Sequence, residues 1–407
     1  MIILVINCGS SSIKYKLFDV DRRKVVAHGL AEKIGESSSL LTHNYTTAEG
    51  NEKKRVEDSR IADHHQGLVR IVDLLMDPQK GVIGNPSDIK AIGHRVVHGG
   101  DLFHATTLID DRVTADIEAC IPLAPLHNPA NLMGIQVARK IFPEVVQAAV
   151  FDTAFHQSLP VEAYMYGIPF EFYEKYKIRR YGFHGTSHAF VAEEAAAFLK
   201  RPLAELNLIT LHLGNGASMA AIKGGRSIDT TMGLTPLAGL VMGTRSGDLD
   251  PSILDFLADH EGMSPKAMDE MLNKKSGLLG LCGENDMRQV IGKIEAGDRR
   301  AEMALGVFTH RIKQYIGAYM ACLGRVDALV FTAGIGENVP LVRDRACQGL
   351  QGFGIEIDSQ RNSERADGIL EISTTDSRVK VFVIPTNEEL RIAQETRIAV
   401  GLQPKGI

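Results

Sequence analysis

The sequence lacks the cysteine patterns of zinc-binding and disulfide-rich proteins. Its five cysteines are odd in number, widely spread and include no CxxC pair. This spacing argues against a zinc site and favours reduced thiols, as in a cytoplasmic protein. A basic excess is missing too, because the 407 residues carry a formal net charge of −5. The charge argues against nucleic acid or an anionic membrane surface as a partner.

Long apolar segments and several catalytic signatures are also absent. No run approaches the length of a membrane span, and residues 1–6 are too short for the apolar core of a signal peptide. The P-loop pattern, GxGxxG and HExxH do not occur. Arg245 stands where a nucleophile elbow needs serine, which argues against a serine hydrolase. With 44% apolar and 23% charged residues, the chain has the composition of a soluble globular protein of about two domains.

The first strong pattern is at the start of the chain. An apolar run over residues 3–6 stops at Asn7, a Gly/Ser turn follows, and apolar residues then alternate with lysines. The pattern predicts a β-hairpin with a turn of small residues, whose backbone N–H groups can approach a ligand closely. Such N–H groups, together with hydroxyls and Lys14, suit a polyphosphate. Taken alone, the stretch fits an ordinary serine-rich hairpin equally well.

The same pattern returns about 200 residues later. Residues 207–222 again form a strand, a small-residue turn and a strand, and residues 328–338 form a further strand-to-turn junction. The repetition predicts an internal duplication. Two related halves, each opening with a phosphate-type hairpin, would form a cleft between them.

Hydrophobic periodicity predicts the remaining elements. Helices are expected over 65–76, 131–141, 188–199, 301–323 and 387–401, and strands over 24–31, 89–97, 145–151 and 379–385. Residues 160–181 contain prolines and many aromatic residues, which predicts a loop-rich connector. Leu390, Ala393 and Ile398 are candidate packing residues of the closing helix. His64 is expected at the surface.

Three such turns, in this order along a duplicated chain, resemble the layout of the actin/Hsp70/sugar-kinase superfamily. The resemblance becomes specific to the acetate kinase (acetokinase) family at seven segments: 7–14 (NCGSSSIK), 94–100 (HRVVHGG), 151–156 (FDTAFH), 181–188 (YGFHGTSH), 212–216 (HLGNG), 243–251 (GTRSGDLDP) and 334–338 (GIGEN). It implies an α/β fold of two duplicated domains, each a mixed sheet flanked by helices, with the active site in the cleft between them. The expected domains are residues 1–150, completed by the helix within 387–407, and residues 151–386.

The resemblance also implies an activity. This is reversible, Mg²⁺-dependent phosphoryl transfer from ATP to acetate, by direct in-line attack of the carboxylate, giving acetyl phosphate and ADP. Mn²⁺ is an alternative to Mg²⁺. The implied setting is a cytoplasmic homodimer whose other partners are the small molecules acetate and ATP, with no nucleic acid and no membrane.

Individual roles follow from the matched segments. The implied catalytic residues are Asp152, His184 and Arg245. The implied acetate-binding residues are Arg95 for the carboxylate and, around the methyl group, Val97, Leu126, Phe183 and Pro236. The implied nucleotide-binding residues are Ser10, Ser12, Lys14, His212, Leu213, Gly214, Asn215, Gly216, Asp286, Met287, Arg288, Gly334, Ile335, Gly336, Glu337 and Asn338. The implied metal-binding residues are Asn7 and Glu388.

These residue types suit the chemistry. Phosphoryl transfer depends on positioning and on neutralising the charge of the equatorial oxygens, and arginine grips a carboxylate or phosphate in a bidentate way. A carboxylic acid with an ordinary pKa of about 4–4.5 is already ionised at neutral pH and needs no general base. We therefore expect Asp152 to orient Arg95 or a metal-bound water more than to accept a proton.

Two other functions compete with this one. A propionate or other short-chain acyl kinase differs by about one methylene in the pocket, where a residue smaller than Val97 would enlarge the space. An actin- or Hsp70-like ATPase without a small-acid substrate would have no use for Arg95, His184 and Arg245. It would also need a polymer interface or a peptide-binding domain, for which no segment is left over.

Overall fold

A computed structural model describes residues 1–47, 50–365 and 368–401 of the chain. Contacts within the chain divide it into two units. The first comprises Met1–Ala154 and the C-terminal segment that begins at Asn387, and the second comprises Phe155–Thr386. Within the described ranges, every helix is too short or too polar to cross a membrane.

The first unit contains an eight-stranded mixed sheet. Its strands are β1 Ile2–Gly9, β2 Ser12–Asp19, β3 Lys24–Glu32, β4 Ser39–Thr46, β5 Glu52–Ser59, β6 Ile89–Val96, β7 Thr107–Leu108 and β8 Gln147–Phe151. Their order in the sheet is β5-β4-β3-β2-β1-β6-β8-β7. Neighbours from β5 to β1 are antiparallel, β1, β6 and β8 run parallel, and β7 is antiparallel to β8.

Side-chain patterns explain these positions. The apolar run of β1 is almost fully buried from Ile3 to Ile6, as expected of a central strand covered on both faces. In β2 the buried Ile13 and Tyr15 flank the exposed Lys14, which gives one dry and one wetter face. The charged strand β5 lies at the edge of the sheet, where charged side chains discourage pairing with another chain.

Four α-helices belong to the described part of this unit. They are α1 His64–Leu75, α2 Asp111–Ala119, α3 Asn128–Ile141 and, from the end of the chain, α15 Glu388–Ala399. Leu68 and Ile71 of α1 join Phe142, just after α3, in one apolar cluster with the inner residues of the sheet. Helix α15 contacts β1, β6 and β8 and so completes the first unit from the far end of the sequence.

The second unit contains a six-stranded mixed sheet. Its strands are β9 Asn207–Leu213, β10 Ala217–Lys223, β11 Arg226–Thr230, β12 Ala328–Thr332, β13 Leu370–Glu371 and β14 Lys380–Val383, in the order β11-β10-β9-β12-β14-β13. Strands β11, β10 and β9 are antiparallel neighbours, and β9, β12 and β14 run parallel. The first unit repeats this arrangement in β3-β2-β1-β6-β8. The expected fold of two duplicated mixed sheets is thereby confirmed.

The helices of the second unit are mostly short. They are α4 Val161–Tyr164, α5 Phe170–Tyr176, α6 Gly185–Leu199, α7 Ser252–Glu261, α8 Pro265–Lys274, α9 Gly277–Cys282, α10 Met287–Glu295, α11 Arg299–Leu323, α12 Ala333–Asn338, α13 Pro340–Cys347 and α14 Ser359–Ser363. The long helix α11 buries Phe308, Ile312 and Ile316 along one face. Its apolar stripe matches the 3.6-residue period from which the helix was predicted.

Three local predictions are wrong. The connector 160–181 contains α4 and α5, whose aromatic side chains contact one another, as Tyr164 does Tyr173. Residues 334–338 form a short helix and not a turn. Ile398 is 67% exposed, whereas Leu390 and Ala393 pack as expected. A hydrophobic residue near a helix end can satisfy the period and still lie outside the contact face.

Helix α15 packs closely on the first sheet at Gly93 of β6, and a substitution there can test this packing. A Cβ atom at this position would lie 2.8 Å from Cγ2 of Ile392 and closer still to Oγ1 of Thr396. We therefore expect Gly93→Ala to lower the free energy of unfolding of the first unit by about 1–3 kcal/mol. As a contrast, Gly292→Ala in the exposed part of α10, where nothing lies within 4 Å, should be neutral or raise stability by up to about 1 kcal/mol. Urea denaturation measures both, and equal effects of the two substitutions would contradict the close packing of α15.

Glu389 in the first turn of α15 provides an electrostatic attachment to the same sheet. It forms ion pairs with Lys14 and with Lys16, the latter at 3.1 Å. Burial by itself would raise the pKa of Glu389, but the charges and hydrogen bonds of the two lysines outweigh it and lower the pKa to about 2. Because the folded-state pKa is depressed, the stabilisation is present above the ordinary pKa and is lost as pH falls towards 2.

Glu389→Gln should accordingly destabilise the protein by about 1–3 kcal/mol at neutral pH. The difference from the wild type should shrink as pH falls below about 4.5, the ordinary range of a glutamate. Unfolding free energies at several pH values give this difference. The matched variant Glu395→Gln, on the same helix in a single ion pair with Arg391, should cost at most about 1 kcal/mol. A pH-independent effect of Glu389→Gln would show that the ion pairs do not contribute.

Candidate active site

The first hairpin brings two predicted site residues together. Asn7 of β1 lies directly opposite Lys14 of β2, so both side chains project from the same face. The ammonium group of Lys14 contacts the carboxylate of Glu389. Ser10 lies exposed in the turn, and Ser12 is partly buried where β2 begins. Sequence reasoning missed Glu389, although its position beside Glu388 at a helix start could have indicated it.

Buried residues of α1 and α3 contact the turn of this hairpin and the strand before it. His64 is buried and its Nε2 lies 2.7 Å from the carbonyl oxygen of Gly9, so the predicted surface position of this histidine is wrong. Cys8 packs against Gly134 of α3, where a Cβ atom would clash with its sulfur. Burial raises the pKa of the Cys8 thiol to about 12. Cys8 is therefore an inert packing residue.

Arg95 and Asp152 form a bidentate pair at the ends of β6 and β8. Nε of Arg95 lies 3.2 and 3.1 Å from the two carboxylate oxygens, and Nη2 lies 2.7 Å from Oδ2. Asp152 is buried, whereas the Arg95 side chain is 25% exposed. The negative charge of Asp152 raises the pKa of Arg95, although burial alone would lower it. The negative charge of Glu388 raises this pKa further. The guanidinium is thus fixed and permanently charged, with its Nη1 edge unbonded within the described ranges.

The segment after Arg95 is held by asparagines of α3. The side chain of Asn131 accepts a hydrogen bond from the N–H of Val97 and donates one to the carbonyl oxygen of Cys8. Asn128 makes the equivalent pair of bonds to the backbone of His98. Val97 itself is 7% exposed, but Leu126 is 64% exposed. Within the first unit, only one of the two residues expected around a methyl group is buried.

Glu388 is the predicted metal ligand whose surroundings fit a cation. Its Oε1 is buried and has no hydrogen-bond partner in the described part of the chain. A buried carboxylate oxygen without a partner is costly unless a cation or donor is supplied from outside the protein. Groups of three or more metal-binding side chains are absent from the described residues. Mg²⁺ is usually held by one or two carboxylates together with substrate phosphates and waters, and Glu388 offers one such carboxylate.

The second hairpin carries the small-residue turn between β9 and β10. His212 and Leu213 are buried, Gly214 and Gly216 are half-buried, and Asn215 is exposed. The N–H of Gly214 donates to the carbonyl oxygen of Gly216 at 3.1 Å, which closes the turn. The N–H of Gly243 donates to the carbonyl oxygen of Asn215 at 3.0 Å. A side chain at Gly243 would collide with the Asn215 amide, so only glycine allows the loop 243–247 to lie on the turn.

This loop places Arg245 beside the turn. A Cβ atom on Gly216 would lie 3.3 Å from Nη1 of Arg245 and 3.7 Å from Nε2 of His184, so the missing side chain leaves a space that both residues face. Among the described residues, Nη1 of Arg245 makes only long contacts, 3.4 Å to the carbonyl oxygen of Pro236 and 3.8 Å to the sulfur of Met242. Arg245 forms no ion pair with a carboxylate in the described structure, and burial lowers its pKa.

His184 lies at the start of α6 in a strained conformation. Its φ of 56° is in the left-handed region, which non-glycine residues rarely adopt and which is often found at functional sites. The ring stacks on that of His212, with centroids 4.2 Å apart. Its Nδ1 lies 2.9 Å from Oγ of Ser218. Phe183, which precedes it, is buried, and its carbonyl oxygen lies 3.0 Å from Nε2 of His156.

Residues behind His184 were missed by the sequence analysis. His188 lies one helical turn further along α6, with Nε2 2.8 Å from the same Ser218 hydroxyl and Nδ1 2.7 Å from the hydroxyl of Thr210. Burial, together with His156 and His212, holds the pKa of His188 well below its usual value. The i, i+4 spacing of the two histidines predicts a shared face and could have identified His188.

The remaining nucleotide candidates lie at the start of α10 and along the short helix α12. Asp286 caps α10 by accepting the N–H of Arg288, and its carboxylate also binds that guanidinium, while Met287 is buried. In α12, Gly334 and Asn338 are exposed, whereas Ile335 and Gly336 are buried. Oε1 of Glu337 turns inwards and accepts the N–H groups of Ala333 and Thr386.

Comparisons with known proteins agree along the whole chain. The acetate kinase of Desulfotalea psychrophila is 52% identical over 404 residues, which cover 98% of this chain and 100% of that protein. The crystal structure of Porphyromonas gingivalis acetate kinase matches with a TM-score of 0.93 and 44% identity, over 98% of this chain and 99% of that one. A propionate kinase from Francisella tularensis matches with a TM-score of 0.90 and 45% identity, also over 98% and 99%.

The family model extends the same result to the matched motifs. It is described as the acetokinase family and covers residues 2–394, which include both hairpins, the Arg95–Asp152 pair and the start of α15. The chain belongs to the acetokinase family.

Proposed function

We propose that this protein is an acetate kinase, which transfers the γ-phosphoryl group of ATP to acetate and runs reversibly. The observation that carries the proposal is Arg245, a half-buried guanidinium without a carboxylate partner in the described structure, beside the Gly216 turn and His184. A charged donor placed without a counter-ion is suited to an anion that arrives and leaves. Relatives named acetate kinase over the full chain length support the same activity.

The acceptor end of the reaction is assigned to the first unit. Arg95, fixed by Asp152, binds the acetate carboxylate in a bidentate way through its unbonded edge. One carboxylate oxygen then attacks the γ-phosphorus in line, a new O–P bond forms, and the bond to the β,γ-bridging oxygen breaks with its electron pair leaving on ADP. No proton moves, so Asp152 serves to orient and not to accept a proton.

The donor end is assigned to the second unit. Backbone and side chains of the residue 212–216 turn hold the phosphates, with residues 286–288 and 334–338 around the nucleoside. Arg245 and His184 neutralise charge on the equatorial oxygens as the phosphoryl group is transferred. Lys14 assists from the first hairpin, where Ser10 and Ser12 flank the turn.

A divalent cation completes the charge balance. Asn7 and Glu388 would hold it, since the Glu388 carboxylate has a buried oxygen without a protein partner in the described structure. When bound, Mg²⁺ or Mn²⁺ shields the phosphate charges and so favours approach of a second anion. We also propose that the protein is a cytoplasmic homodimer. Its free cysteines support the cytoplasmic location, and its membership of the family supports the dimer.

Asp152→Asn tests the orienting role. The substitution keeps the shape but removes the charge that fixes Arg95, so we expect kcat to fall by about 100-fold or more. The pH–rate profile should keep its shape, because no essential base is lost. Asp73→Asn, at an exposed position of α1, is the control and should leave kcat unchanged. An acidic limb that is present in the wild type and vanishes in Asp152→Asn would show that Asp152 is a general base.

Acyl-chain preference separates acetate from propionate as substrate. A hydroxamate assay with acetate, propionate and butyrate should give the highest kcat/KM for acetate, with propionate about 10-fold lower, since one methylene is worth about 1–3 kcal/mol. Val97→Ala should enlarge the pocket and bring the kcat/KM values for acetate and propionate closer together. Val113→Ala, also buried in the first unit, controls for lost stability. No activity with any of the three acids would refute the proposed function, and propionate preference would favour the propionate kinase reading of the same site.

A further inference from the structure

A continuous line of hydrogen bonds runs from the core of the second unit to His184. It passes from the hydroxyl of Thr210 to Nδ1 of His188 at 2.7 Å and from Nε2 of His188 to Oγ of Ser218 at 2.8 Å. From there it reaches Nδ1 of His184 at 2.9 Å. Thr210, His188 and Ser218 are each 0% exposed, so water cannot easily substitute for any of these bonds.

Hydrogen counting limits the line to two directions. The Ser218 hydroxyl has one hydrogen and, in the described structure, no hydrogen-bond partner besides the two imidazoles. If both rings donated to it, this buried hydrogen would have no acceptor, so the hydroxyl donates to one ring and accepts from the other. A neutral His188 has one N–H and one acceptor nitrogen. If Ser218 donates to His184, His188 donates to Ser218 and Thr210 donates to His188. If the direction is reversed, His184 donates to Ser218, Ser218 to His188, and His188 to Thr210.

The buried end of the line favours the first direction. In the reversed direction the Thr210 hydroxyl accepts from His188 and must donate its own hydrogen elsewhere. Within the described residues it has no other hydrogen-bond partner. A buried donor without an acceptor is costly, whereas an unused acceptor lone pair costs less. The neutral state of His188, whose pKa is lowered by burial, is what allows the line to have a single direction.

We infer that Thr210, His188 and Ser218 are positioning residues that hold His184 in the neutral tautomer with its hydrogen on Nε2. That nitrogen faces the space beside Gly216, so His184 presents an N–H donor to the transferring phosphoryl group. An imidazolium at His184 would need Nδ1–H directed at Ser218, which the line opposes. Around the ring, His212 stacks on its face, His188 bonds to the same Ser218 hydroxyl, and Arg245 lies beside it. The inference rests on the role proposed above for His184.

The test reads the tautomer directly. In ¹⁵N-histidine-labelled, substrate-free protein, protonated and unprotonated ring nitrogens have well-separated resonances, and a His184→Asn sample assigns the His184 signals. We expect a neutral ring with its hydrogen on Nε2 in the wild type. Thr210→Val, which keeps the side-chain shape but lacks the hydroxyl, should give a mixture of tautomers. A wild-type ring protonated on Nδ1 would overturn the inference, whatever the activity.

Kinetics of the same variants link the tautomer to the reaction. Thr210→Val should lower kcat by about 10-fold with the KM values for ATP and acetate within about two-fold. Its kcat should also decline at lower pH, as His184 becomes free to protonate. Thr210→Ser should recover the wild-type tautomer and pH profile. Thr309→Val, which removes a buried hydroxyl in α11 that is bonded to Leu305, should leave kcat unchanged.

The outcomes separate the inference from the function. Unchanged spectra, kcat and pH profile in Thr210→Val would overturn the positioning role while leaving the kinase activity intact. Full activity in His184→Ala would refute the role of His184 in the proposed function, even if the tautomer is as expected. A fall in kcat for Thr210→Val that Thr210→Ser does not reverse would indicate a packing effect and would also overturn the inference.

Discussion

The second unit carries a half-buried positive charge for which its described residues supply no carboxylate. Arg245 is kept in place by a loop in which Gly243 allows close packing on the 212–216 turn, and by weak contacts to a carbonyl oxygen and a sulfur. A half-buried guanidinium without a counter-ion is unfavourable, and binding of an anion reduces that cost. Arg95 in the first unit shows the opposite solution, since Asp152 already balances it. One arginine is paired with a carboxylate of the protein, and the other has no such partner among the described residues.

The equivalent hairpins of the two sheets have different surroundings. In β2 the side chains alternate between the core and a charged face, and Lys14 and Lys16 use that face to hold α15. In β10 the residues from Ala217 to Ile222 are all fully buried, and Ser218 faces histidines and not charges. The order and directions of the strands are the same. The difference lies in solvent exposure. One face of β2 is exposed enough to carry lysines, whereas β10 is fully buried beside neutral imidazoles.

Many strands, the duplication and several candidate site residues could be predicted from the sequence. Strands such as β1 have strong periodic or continuous apolar patterns, and the repeated hairpin gave the duplication. The motifs gave Arg95, Asp152, His184 and Arg245. Local patterns failed where the deciding contact is distant in sequence, as for His64, whose partner is the carbonyl oxygen of Gly9. The hydroxyls that bond the histidines were also missed, because a serine or threonine within a strand has no pattern of its own before its neighbours are known.

The position of α15 has a consequence for how the chain is made. This helix contacts β1, β6 and β8, and its carboxylates lie next to Lys14, Lys16 and Arg95. It is synthesised only after all of the second unit. During translation the first sheet must therefore remain without its last helix while the second unit folds, with Gly93 and its apolar surroundings uncovered. The emerging first unit therefore lacks this packing until α15 has been synthesised.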